Sequence, residues 1–471
     1  MTMTPIERKR AVTRRTFLRG SSGFLGAAAL GSLARGADGP VGPHFPAKAK
    51  RVIYLCQAGA PSQLELFDPK PRLLELDGQP MPESLVAGDT VNDQLRGRRL
   101  IAAGSRFRFE RHGESGHELS ELLPHTARIA DRISVVRSMQ TDVLNHDPAL
   151  TMLQTGHSAP GRPSMGAWAS YGLGSDNREL PDFTVLVSRA DGFVNPVNAR
   201  LWGSAFLPGR HQGVELRTGK DPVLFLSDPD GLPRTSRRMQ VDALGALNGL
   251  RAEETGDPAI RTRIAAYELA YRMQESVPEL MDVSDEAPET LELYGATPGE
   301  PSYANNCLLA RRLAERGVRF IQLYHKGWDH HYQLPSRIRE LTAQTDRASA
   351  ALVLDLERRG MLDETLVVWG GEFGRSPMNQ GGLGGDSYGR DHWGKAFSVW
   401  LAGGGVKPGV TIGETDELGY DVVRDPVDIH DLHATVLHLM GIDHEELAYR
   451  SRGRDFRLTD VAGYVVDDLL A

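Results

Sequence analysis

Leu354-Asp355-Leu356-Glu357-Arg358-Arg359-Gly360-Met361-Leu362-Asp363-Glu364-Thr365-Leu366-Val367-Val368-Trp369-Gly370-Gly371-Glu372 reads, in order, as the end of a helix, a turn, a buried strand and a polar loop. Upstream of it, apolar residues recur at Ile338, Leu341, Ala348, Leu352 and Leu356. That is a helical period over Pro335 to Arg359, and Gly360 closes it. The stretch that follows, Leu362 to Trp369, reads as a buried strand, because it ends in Leu366-Val367-Val368-Trp369, apolar without alternation, as a strand covered on both faces must be. The same grammar appears elsewhere. A helix at Tyr303 to Arg316, with Leu308, Leu309 and Leu313 on one face, leads into a strand at Val318 to Tyr324. Arg51 to Ala58 and Ala396 to Leu401 are two more buried strands. Helices alternating with continuously apolar strands predict an α/β domain with a largely parallel central sheet and helices on both faces. Residues 190 to 300 break the rhythm with Pro, Gly, Arg and Asp, and an acidic stretch around Asp282 to Glu292 follows. We read them as an irregular insertion or cap.

Composition narrows the function classes. The chain has 471 residues, 54 Lys plus Arg, 62 Asp plus Glu and two cysteines, for a net charge of −8. A disulfide-stapled mini-protein, a disordered acidic chain and a polytopic membrane protein are excluded. No domain-sized stretch is basic, so no nucleic-acid partner is expected. Cys56 and Cys307 lie in apolar surroundings and read as buried free thiols. Thr13-Arg14-Arg15-Thr16-Phe17-Leu18-Arg19, followed by a short Gly/Ala-rich apolar stretch, matches a twin-arginine export signal over residues 1–37. That stretch is too short and weak to span a bilayer, so no transmembrane span is expected in the mature chain. The expected location is periplasmic or otherwise extracytoplasmic, with the twin-arginine machinery as a partner.

In open α/β sheets the chemistry gathers beyond the carboxyl ends of the strands. Here those ends are rich: His325-Lys326-Gly327-Trp328-Asp329-His330-His331, then Gly370-Gly371-Glu372-Phe373-Gly374-Arg375, then Gly389-Arg390-Asp391-His392-Trp393. Carboxylates and imidazoles converging from separate loops are what a divalent cation needs. Arg375 and Arg390 suit an oxyanion, because a guanidinium matches phosphate or sulfate bidentately. His430, His433 and His438 on the closing helix do not share one clean metal face and read as structural. Gly453 to Thr459 reads as a pin for the C-terminal segment.

These residues resemble the alkaline phosphatase/sulfatase superfamily. The segment from Leu354 to Gly374 resembles its helix, turn and strand that deliver a metal-binding loop, and Asp431-Leu-His-Ala-Thr435-Val-Leu-His-Leu-Met-Gly441 resembles its closing helix. From residue 48 onward the chain is similar to an exported bacterial family of unknown function, sulfatase-like and commonly twin-arginine-dependent. The pieces that carry this are Gly59-Ala60-Pro61-Ser62, Asn145-His146-Asp147-Pro148, Gly161-Arg162-Pro163-Ser164, Trp328-Asp329-His330-His331, Gly371-Glu372-Phe373-Gly374-Arg375, Gly389-Arg390-Asp391-His392 and Gly453-Arg454-Asp455.

The resemblance implies one alkaline-phosphatase-like domain over 48–471, with the insertion at about 190–300. It also implies metal ligation by Asp329, His331, Glu372 and His392, with zinc, calcium and manganese not distinguished. The superfamily's first strand ends in a metal-binding Asp. Here it ends Gln57-Ala58, so Glu65 or Asp68 could substitute only if the loop folds back. Superfamily sulfatases carry a Cys-x-Pro-x-Arg whose Cys becomes formylglycine, nine residues before a Thr-Gly. Counting back from Thr155-Gly156 gives His146, with neither cysteine available. A literal Ser158-Ala-Pro-Gly-Arg162 lies after the Thr-Gly, out of place. The expected function is therefore a metal-dependent hydrolase of phosphate or sulfate esters, not formylglycine-dependent and acting on an anionic ester. His146 would be nucleophile or general acid/base, and Arg375 or Arg390 the oxyanion clamp. The alternative is a non-catalytic exported binding or scaffold protein on the same fold.

Overall fold

The computed structural model describes residues 41–86, 99–175, 177, 179–189, 197–217, 234–382 and 387–471. The export signal expected over 1–37 lies outside them. The elements that build the site are, in chain order, β1 (Arg51–Ala58), β2 (Ile133–Gln140), α1 (His146–Thr155), α2 (Met165–Leu173), β3 (Phe183–Arg189), β4 (Val214–Leu216), α3 (Arg234–Thr255), α4 (Pro258–Met281), α5 (Tyr303–Glu315), β5 (Phe320–Lys326), α6 (Leu334–Arg358), β6 (Thr365–Gly370), β7 (Gly374–Asn379), β8 (Arg390–Trp393), β9 (Phe397–Ala402), β10 (Thr411–Ile412), β11 (Val427–Asp428) and α7 (Ile429–Leu439).

A nine-stranded sheet runs in the order β10-β2-β9-β6-β1-β5-β3-β4, with β11 also paired to β2. Only β9 runs against its neighbours β2 and β6, so the sheet is largely parallel, as the apolar runs predicted. The period-2 alternation of each strand sorts its side chains onto two faces. Ile53, Leu55, Ile321, Leu323, Val367 and Trp369 join one core with Leu308, Leu313, Ile338, Leu352 and Leu356 of α5 and α6. The intervening Val52, Tyr54, Phe320, Tyr324, Leu366 and Val368 are equally buried. On their side, the Phe320 ring meets Phe183, against which Gly166 of α2 is packed. Both faces are therefore covered by helices. Each fully buried aliphatic side chain contributes about 1.5–3 kcal/mol relative to exposure. Of the polar residues inside these strands, Gln57 satisfies its amide on Tyr303 Oη (3.1 Å) and on the Trp328 indole N–H (2.9 Å), while the Gln322 amide in β5 is buried with no hydrogen-bond partner.

Cys56 and Cys307 are both buried and free. The region read as an irregular insertion contains two long helices, α3 and α4, packed on each other. Their sequence hides them: Gly245 and Gly249 interrupt α3, Met239, Leu247 and Leu250 face outward, and Pro278 sits inside α4. That mixes the apolar period on which a helix assignment rests. No helix among the described residues is long and apolar enough to cross a membrane.

Because the sheet is parallel, the carboxyl ends of β1, β2, β5 and β6 share one edge, and β9, entering in reverse, brings the β7–β8 hairpin (Trp393↔Gly374, His392↔Arg375) to that edge as well. The closing helix braces this edge from behind. α7 begins with a reciprocal capping box between Asp428 and Asp431. Its His430 and His433 bond the Gly156 and Leu153 carbonyls at the end of α1, at 3.0 and 2.7 Å. Gly156 takes the left-handed cap conformation (φ 67°), and a Cβ there would lie 2.0 Å from the Leu458 carbonyl oxygen. The segment after Gly453 thus locks the helix that carries His146.

Candidate metal centre

Four side chains from three connections meet at the strand edge. His146 is the first residue of α1, Asp329 and His331 follow β5, and His392 lies on β8. Their ligand atoms all lie within 4.8 Å of one another. The centre of the group is one oxygen, Asp329 Oδ1. His331 Nε2 stands 2.9 Å from it, His146 Nε2 3.1 Å, His392 Nε2 3.3 Å, and an Arg375 guanidinium nitrogen 2.7 Å.

The other nitrogen of each ring is already committed. His146 Nδ1 lies 2.6 Å from Glu372 Oε1, His331 Nδ1 2.5 Å from Gln380 Oε1, and His392 Nδ1 2.6 Å from the Leu144 carbonyl. Carbonyl and carboxylate oxygens only accept, so each Nδ1 carries the proton, and in the neutral imidazole each Nε2 presents its lone pair. Three lone pairs and a carboxylate oxygen then face one point. Holding each ligating imidazole by its far nitrogen is how proteins orient histidines onto a metal. Burial lowers the His392 pKa to about 4, which keeps that ring neutral. Burial also disfavours ionised Asp329, but the Arg375 charge and the three imidazoles outweigh it and hold the carboxyl well below the usual carboxylate range. For His146 burial favours the neutral form, and the contacts to Asp329 and Glu372 overcome it, raising the pKa. Its Nε2 is buried, with Asp329 Oδ1 as its neighbour at 3.1 Å. Three imidazole nitrogens gathered on one anionic oxygen fit a cation, and this donor set suits an ion of borderline softness.

The expected site residues divide into two layers. Asp329, His331 and His392 come together, joined by His146. Glu372 stands one layer back, bonded to His146 Nδ1 and to the Gly59 backbone N–H (2.9 and 3.2 Å). Phe373 beside it stacks on His146 at 4.9 Å between ring centres. Arg375 is fully buried beneath Asp329, its guanidinium also donating to the Ala60 (2.9 Å), Gly59 and Arg390 (3.3 Å) carbonyls. Arg390 faces elsewhere. It is sealed against Glu65 (2.6 Å) and donates to the Ser376 (3.0 Å) and Ala103 (2.9 Å) carbonyls. Glu65 is thereby consumed, and Asp68 pairs with Lys70 at 3.0 Å, so neither reaches the cluster. His325 bonds Ser188 Oγ at 3.0 Å, away from the centre.

Gln380 and the Leu144 carbonyl carry no sequence signal for their roles, since any acceptor placed there would serve. Gly389 does carry one. A Cβ on it would lie 1.9 Å from the His331 carbonyl oxygen, so Gly389→Ala must push the His331 loop aside. We expect that variant to lose about 1–3 kcal/mol of stability and to weaken metal binding, measured by thermal unfolding and by titration with the cation.

A cleft of about 390 Å³ opens beside His392, lined by Asp142, Val143, Leu144, Asn145, Pro148 and Ser158.

Among solved structures, the chain is similar to an alkaline phosphatase from the Antarctic bacterium TAB5 (11% identity, TM-score 0.33, covering 83% of this chain and 98% of that one). It is also similar to a sulfatase from Pseudoalteromonas sp. (13%, 0.35, 84% and 68%) and to a phosphonate monoester hydrolase from Silicibacter pomeroyi (13%, 0.31, 70% and 71%). It spans 66% of the length of a further match, a protein solved in complex with k-i-k-neocarrahexaose. No curated protein sequence matches the chain. The family model described as "Protein of unknown function (DUF1501)" matches residues 49–470, and with almost the whole described chain inside that match, this protein belongs to the DUF1501 family.

Proposed function

We propose that this chain is an exported, metal-dependent hydrolase of phosphate or sulfate esters. The observation that carries the reading is the convergence of three imidazole Nε2 atoms on Asp329 Oδ1, each with its Nδ1 already bound to an acceptor. His146, Asp329, His331 and His392 would hold the cation. When bound, such an ion polarises an ester oxygen and lowers the pKa of water. Glu372 keeps the His146 proton on Nδ1, so that Nε2 stays available as a donor; we assign His146 to the metal because that atom points at the shared oxygen. Arg375 holds Asp329 ionised and fixes which of its oxygens faces the imidazoles. The resemblance of residues 354–374 to the superfamily's metal-binding segment supports the same reading, and the twin-arginine pattern at residues 13–19 supports export after folding.

The second reading is a binding protein. What favours it is that His146 holds the position at the head of α1 where the resemblance to the sulfatases would place the nucleophile, and that Cys56 and Cys307 are both buried elsewhere. The two part on one test. Full-length protein loaded with zinc or manganese should hydrolyse para-nitrophenyl esters, lose the activity on chelation and regain it on metal addition. Stoichiometric metal without turnover would favour the binding reading. Glu372→Ala leaves the ligand atoms in place but removes the acceptor that holds the His146 ring, so metal affinity should fall about 10–100-fold in calorimetric titration.

A further inference from the structure

We infer that the site selects singly charged tetrahedral esters, a phosphate diester or a sulfate monoester, over the doubly charged phosphate monoester. This rests on the hydrolase reading above and adds a selectivity to it. A doubly charged group needs positive charge beyond a single divalent cation, usually a guanidinium free to fork onto its non-bridging oxygens. Both arginines near the cluster are already spent. Arg375 is fully buried, with Nε on the Ala60 carbonyl and its terminal nitrogens on Asp329 Oδ1 and on the Gly59, Trp328 and Arg390 carbonyls. Arg390 is likewise buried, its Nε on Glu65, one terminal nitrogen on Glu65 and the Ala103 carbonyl, and the other on the Ser376 carbonyl.

On the described lining of the cleft the fixed charge is negative, and the nearby cations Arg200 and Lys395 are paired with Asp147 and Asp421. The cleft beside His392 is lined by the carboxylate of Asp142 and by Val143, Leu144, Asn145, Pro148 and Ser158, with no cation among them. Glu372 lies directly behind His146. The Asp147 carboxylate, one residue along α1, is paired with Arg200. An ester oxygen carrying the first negative charge can sit against the metal. A second charge would face the Asp142 carboxylate, and like charges repel, though solvent screens the repulsion because Asp142 is exposed.

The test uses the full chain loaded with zinc, near pH 8, where a phosphate monoester is doubly ionised while a phosphate diester and a sulfate monoester each carry one charge. The kcat/KM for bis(para-nitrophenyl) phosphate or para-nitrophenyl sulfate should exceed that for para-nitrophenyl phosphate by on the order of tenfold, and in calorimetric titration dimethyl phosphate or methyl sulfate should bind more tightly than methyl phosphate by a similar factor. Whichever singly charged ester is faster identifies the source of the anion. Two variants tie the preference to charge. Asn145→Arg adds a cation to the cleft wall, and Asp142→Asn removes the anion, so each should narrow the ratio by roughly threefold. A preferred monoester in the wild-type protein overturns the inference and leaves the hydrolase reading standing. A preference that neither folded variant narrows overturns its electrostatic cause. No turnover of any of the three esters overturns the hydrolase reading and this inference with it.

Discussion

Asp329→Asn is expected to abolish tight divalent-metal binding, lowering affinity by more than about 100-fold. The amide keeps the shape of the side chain but not its charge, and Oδ1 is the atom on which His146, His331, His392 and Arg375 all converge. Without the anion, a divalent cation would sit beside the Arg375 guanidinium with no neutralising group between them. The loss at Asp329 should exceed that at Glu372, because Glu372 reaches the centre only through the His146 ring. Calorimetric titration of both variants with zinc checks the order. Equal affinities for the two would contradict a metal centred on Asp329.

Arg390→Ala is expected to be the most destabilising single change near the site, by about 3–5 kcal/mol, with an effect on activity that follows from the fold. Arg390 and Glu65 are both fully buried, and the Glu65 carboxylate also accepts from Tyr388 Oη (3.2 Å) and Ser62 Oγ. Removing the guanidinium strands that carboxylate in the interior. Replacing both partners with apolar residues, Glu65→Leu with Arg390→Met, should recover much of the loss, since desolvating a matched pair costs nearly what the pair returns. Urea unfolding of the two single variants and the double variant measures this. A single variant within about 0.5 kcal/mol of wild type would show that the pair is not sealed as described.

The sheet was legible because its strands are buried on both faces and its helices are periodic. β5, β6, β9, α5 and α6 fall within a few residues of their expected positions, since an unbroken run such as Leu366-Val367-Val368-Trp369 has few other ways to avoid water. α3 and α4 were not legible, because outward-facing Met239, Leu247 and Leu250 blur the period that marks a buried face. At the site, residue type pointed to Asp329, His331 and His392, but the layer each residue occupies depends on distances that sequence spacing does not carry. Glu372 follows its strand directly, yet the close packing of Gly59 against it turns its carboxylate to His146. Arg375 and Arg390 both suit an anion by chemistry. Only the carbonyls and carboxylates that surround them reveal that both are internal braces.

X-ray absorption spectroscopy of the full chain loaded with one equivalent of zinc tests the central claim most directly, because it reads the donor atoms themselves. Three imidazole nitrogens at about 2.0–2.1 Å and a carboxylate oxygen at a similar distance are the predicted first shell, with the imidazole scattering reduced when His392 is replaced by alanine. A shell of oxygen donors alone, or one unchanged in the His392 variant, would contradict the account.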